Sequence, residues 1–92
     1  MTKAVRVEIS GRVQGVGYRL WCAEEARVRH LSGWVRNRRD GTVEAALGGD
    51  ADLVDIMLDR IRQGPPGSRV ENVTVESCKE TLPARFEVRD TV

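Results

Sequence analysis

The sequence predicts an α+β fold, a two-layer α/β sandwich in β-α-β-β-α-β order with a short fifth strand. Its sheet is expected to be mostly antiparallel, with both helices on one face. Three observations predict it. Apolar residues alternate at period two over 3–10 and 42–48, and recur with uneven spacing over 69–77. They recur at three- and four-residue spacing over 51–63. Breaks rich in glycine, proline or aspartate separate these runs.

Each element has its own justification. Over 3–10, Val5, Val7 and Ile9 oppose Arg6, Glu8 and Ser10, the pattern of a half-buried strand. After a glycine-punctuated loop, 19–31 reads as a helix with Cys22, Ala23 and Ala26 as a narrow apolar stripe. Ser32-Gly33 is expected to break it, and a second strand to begin at Trp34. Asp40-Gly41 is a reversal signal, and Thr42 to Gly48 returns with Val43, Ala45 and Leu47 on one face. Gly48-Gly49 punctuates, and Asp50 is placed to cap a helix over 51–63. That helix carries Leu53, Val54, Met57, Leu58 and Ile61 on one side. Gly64-Pro65-Pro66-Gly67 stops it. Val70, Val73 and Val75 are unevenly spaced in a strand over 69–77, which hints at a bulge or a late strand start, and Phe86 and Val88 mark a short last strand. This order is of ferredoxin-like type, and residues 1–92 are expected to form a single domain.

Composition narrows the function classes. The 92 residues carry 15 basic and 14 acidic side chains, a net charge of +1, so bulk charge names no polyelectrolyte partner. Cys22 and Cys78 are the only cysteines and His30 the only histidine, which supports neither a disulfide framework, nor a metal site, nor a Cys–His catalytic pair. No signal-like or membrane-spanning apolar run is present, and a cytoplasmic setting is the default expectation.

The chemistry-bearing segment is Gly11-Arg12-Val13-Gln14-Gly15-Val16-Gly17-Tyr18-Arg19. A glycine-rich loop between strand and helix lets successive backbone amides converge on an anion, and the helix start adds its orphan donors and positive dipole end. The same glycines could merely let the chain turn. Arg19 favours the anion reading, because a cation at a helix N-terminus is repelled by the dipole unless an anion sits there. Asn37 shares strand parity with Val35 and so faces the helical layer, either closing the hairpin or fixing a water in line with a bound phosphorus. Arg12, Arg36, Arg38 and Arg39 read as a solvated rim, and Tyr18, Trp21, Trp34, Cys22 and Phe86 as packing residues.

Together with Gly33-Trp34-Val35-Arg36-Asn37 and Asp40-Gly41-Thr42-Val43-Glu44, this segment closely resembles the acylphosphatase family over essentially the whole chain. The resemblance implies a hydrolase that cleaves the carboxyl–phosphate bond of acyl phosphates without metal or cofactor. It implies Arg19 and Asn37 as the catalytic residues. The loop Gln14, Gly15, Val16, Gly17 and Tyr18 would supply backbone donors to the phosphate. It further implies a small-molecule substrate, inorganic phosphate as product and competitive inhibitor, a monomer, and no nucleic-acid or membrane partner. Two alternatives remain: an RNA-binding module, which lacks stacking aromatics at Arg6, Glu8 and Ser10, and a carrier that binds phosphorylated metabolites without turnover.

Overall fold

A computed structural model describes residues 1–92. In chain order its elements are β1 (Thr2–Arg12), α1 (Tyr18–Val28), β2 (Ser32–Asn37), β3 (Val43–Asp50), α2 (Ala51–Gln63), β4 (Arg69–Ser77) and β5 (Glu87–Val88). One sheet holds all five strands in the order β4-β1-β3-β2-β5. The β1–β3, β1–β4 and β2–β3 pairs are antiparallel, and β5 lies parallel to β2.

The odd-numbered apolar residues of the three inner strands share one face. Val5, Val7, Ile9, Val35, Val43, Ala45 and Leu47 form a continuous core with Cys22, Ala23 and Ala26 of α1 and Val54, Met57, Leu58 and Ile61 of α2. Both helices therefore cover the same side of the sheet, as the alternation predicts. Asp50 caps α2 by accepting from the amides of Asp52 (3.0 Å) and Leu53 (3.3 Å). The uneven valines of β4 do mark a bulge: Ser10 pairs with Asn72, but Gly11 pairs with Val70.

Several boundaries differ from expectation. α1 ends at Val28 rather than 31, because His30 adopts a left-handed φ of 57° and the chain closes behind it. Leu31 N bonds Ala26 O (3.0 Å) and His30 N bonds Arg27 O (3.0 Å), the two bonds of a Schellman cap. Ser32 and Gly33 are not a break but the start of β2, paired with Gly48 and Leu47. Gly48 and Gly49 likewise continue β3 opposite Ala4 and Lys3. Trp34 packs on the sheet face away from the helices, 3% exposed, and its indole N–H donates to Glu80 (2.8 Å). The guanidiniums of Arg36 and Arg89 lie over its ring at 4.6 and 5.0 Å. Cys78 falls one residue beyond β4.

Candidate active site

β1 delivers the chain to the edge of α1, where buried Val13 anchors the start of the loop. Gly15 and Gly17 hold positive φ, 73° and 77°, while Val16 between them does not. This alternation turns successive amides toward one side. A Cβ at either glycine would meet nothing within 4 Å, so backbone conformation rather than crowding calls for glycine. Gly11 belongs to a different feature. It sits in β1 opposite the bulge, where a Cβ would come within 2.1 Å of Arg69 O.

α1 then starts at Tyr18 with no side-chain cap and no acidic residue in its first turn. Its first backbone bond runs from Trp21 N to Gly17 O at 3.1 Å, and the amides from Gly15 to Leu20 donate to no acceptor of the chain. Arg19 forms no ion pair with any carboxylate. The start of α2, by contrast, is closed by Asp50 and carries Asp52. One helix start is satisfied by its own sequence; the other is left open.

The β2–β3 hairpin faces that opening. Asn37 ends β2 two residues after core-facing Val35, and its carbonyl accepts from Val92 N (3.2 Å). Gln14 ties loop to hairpin: its side-chain amide donates to the carbonyls of Arg38 and Thr42, each at 2.7 Å. At the turn, Asp40 accepts from the hydroxyl (2.7 Å) and amide (2.9 Å) of Thr42, and these bonds hold its carboxyl below its usual range. Gln14, Gly15, Gly17, Tyr18, Arg19 and Asn37 line one hollow of about 370 Å³, with Val13, Leu20 and Val88 completing its wall. Val16, the remaining predicted loop residue, packs against the core instead.

Other predicted residues take different places. Tyr18 is the first residue of α1, and its hydroxyl donates to Ile61 O (2.7 Å), so burial pushes its pKa upward. Burial, reinforced by Glu25, pushes the Cys22 thiol up to about 12, leaving it protonated and inert. Arg36 and Arg38 are not a solvated rim. They donate to Glu44 at 2.8 and 3.1 Å on the open sheet face, and Arg6 approaches it at 3.6 Å. Glu44 is 4% exposed; burial opposes its charge, but the arginines win and its carboxyl titrates below the usual value. Sequence reasoning missed Glu44, although cross-strand pairing of Arg36 with it was available from hairpin parity. A larger hollow, about 510 Å³, lies near the other end of α1 beside Arg27, His30 and Phe86. There the amides of His30 and Leu31 are already spent closing the helix.

These features define a class: a two-layer sandwich whose first strand–loop–helix junction presents unpaired donors to a hollow it shares with the β2–β3 hairpin. The family profile of acylphosphatase matches residues 5–88. An acylphosphatase of Azorhizobium caulinodans is 51% identical over 94 residues, spanning all of both chains. Among solved structures, an acylphosphatase from Coxiella burnetii superposes with a TM-score of 0.91 at 34% identity, covering 96% of this chain and 93% of its own. That of Bacillus subtilis gives 0.90 at 34%, covering 97% and 99%. The chain belongs to the acylphosphatase family, and so to the hydrolases.

Proposed function

We propose that this chain hydrolyses acyl phosphates by direct attack of water on a phosphoryl group held by the Gln14–Tyr18 loop and Arg19. The observation that carries the reading is that one hollow is lined by loop residues whose amides are unpaired, by Arg19, which forms no ion pair, and by Asn37. Loop amides and Arg19 suit the equatorial oxygens of a phosphoryl group, whose charge redistributes in a loose transition state. In this reading Asn37 accepts a hydrogen bond from the attacking water, and its neutral amide does not repel an anionic substrate.

The bonds balance with few groups. The water oxygen bonds phosphorus as the bond from phosphorus to the acyl oxygen breaks, and the carboxylate leaves with the electron pair. A carboxylate is a weak base, so no general acid has to protonate it and no metal is assigned. The water's proton passes to a phosphoryl oxygen, giving inorganic phosphate, which competes for the same cradle. Every group in this scheme comes from one chain, so the reaction is proposed to run in the monomer on a small-molecule substrate.

Steady-state hydrolysis of benzoyl phosphate in the presence of a chelator tests the scheme. Arg19→Ala is expected to lose about 10²-fold or more, the range for a lost oxyanion donor. Asn37→Ala is expected to lower kcat while leaving inhibition by phosphate nearly intact. Turnover of Arg19→Ala within a few-fold of wild type would overturn the assignment.

A further inference from the structure

We infer that Leu20 and Val88 form an acyl subsite beside the phosphoryl cradle, and that the substrates are acyl phosphates with an uncharged, apolar acyl group. This rests on the phosphoryl reading given above. Its basis is an inventory of the hollow's wall. The side-chain amide of Gln14 is spent on two carbonyls, and the Tyr18 hydroxyl is spent on Ile61 O. Arg19 and Asn37 are assigned to the phosphoryl group and the water. What remains is Val13, Leu20 and Val88. The wall holds no carboxylate and no second cation.

Leu20 and Val88 come from different elements and meet at the same opening. Leu20 follows Arg19 in the first turn of α1 and is 60% exposed. Val88 of β5 pairs with Val35 of β2, so its side chain shares the helical face, and it is 43% exposed. A single exposed leucine needs no explanation. Two large apolar side chains flanking a hollow that also contains the unpaired donors are the usual build of a ligand pocket, apolar walls with a few placed polar groups. A charged acyl chain would lie against them with no partner. Arg12 and Arg39 are exposed nearby in sequence but do not line the wall.

Selectivity between acyl phosphates tests this. Wild type is expected to favour benzoyl over acetyl phosphate by about tenfold or more in kcat/KM, the scale set by a few apolar carbons in a pocket. Butyryl phosphate is expected to exceed succinyl phosphate, which has a similar chain but an added carboxylate. In Leu20→Ala/Val88→Ala the benzoyl-to-acetyl ratio is expected to fall by about tenfold. Both side chains are exposed, so their removal does not open the core. An unchanged ratio in the double variant overturns the subsite while leaving the phosphoryl site standing. A preference for succinyl phosphate does the same. If neither benzoyl nor acetyl phosphate is hydrolysed, the phosphoryl reading fails and the subsite with it.

Discussion

An arginine in the first turn of a helix meets the positive end of the dipole, at a cost of a few tenths of a kcal/mol to about 1 kcal/mol. Arg19 accepts that cost without a carboxylate partner, whereas Arg60, at the far end of α2, sits where the dipole favours it and also pairs with Glu25 at 2.7 Å. An anion in the cradle removes the conflict at Arg19. Gln14 is the residue whose contribution the sequence concealed. Its place in the motif suggests a backbone donor, but its side chain spans from the loop to both carbonyls at the turn of the hairpin. Gln14→Ala leaves the carbonyls of Arg38 and Thr42 without that donor and frees the cradle to move relative to Asn37. The expected result is a loss of about 1–3 kcal/mol in stability together with a fall in kcat exceeding any change in phosphate inhibition. Urea unfolding and steady-state kinetics on the same preparation check both.

At the scale of elements, the helix ends show what a sequence can and cannot reveal. α2 was legible throughout, since its apolar spacing, aspartate cap and Gly-Pro-Pro-Gly stop all agree. The end of α1 was hidden because the left-handed cap residue is His30, where glycine is the usual signal. His30→Gly relieves the left-handed penalty and is expected to stabilise the protein by about 1 kcal/mol, read as a higher urea midpoint with unchanged slope. Strand ends were obscured for a related reason: Gly33, Gly48 and Gly49 look like punctuation, yet each is paired within the sheet. The candidate site was more legible than these boundaries. Its alternation of strand, glycines and arginine is local in sequence, as is the hairpin pair of Arg36 with Glu44, while Leu20 and Val88 acquire a joint meaning only when distant elements meet.

For the whole molecule, the sheet order brings the two site segments together. β1 and β2 both pair with β3, so the loop after β1 and the hairpin after β2 open at the same end. The outer face of that hairpin is held by Glu44, whose carboxyl is depressed by Arg36 and Arg38. A depressed folded pKa means the stabilisation is fully present above the ordinary value of 4.5 and is lost as pH falls through the lower folded value. Wild type should therefore be more stable than Glu44→Gln at pH 7, with the gap closing on acidification. Parallel urea titrations from neutral to acid pH measure it. A gap that widened toward acid would reverse the sign of the coupling.

Titration of ¹⁵N-labelled protein with inorganic phosphate addresses the cradle itself. Amide resonances from Gly15 to Leu20 should shift together, saturate with one Kd, and stay still in Arg19→Ala. Shifts confined to Arg27, His30 and Phe86, or a response at the loop that survives Arg19→Ala unchanged, would contradict a phosphoryl site built from these amides and this arginine.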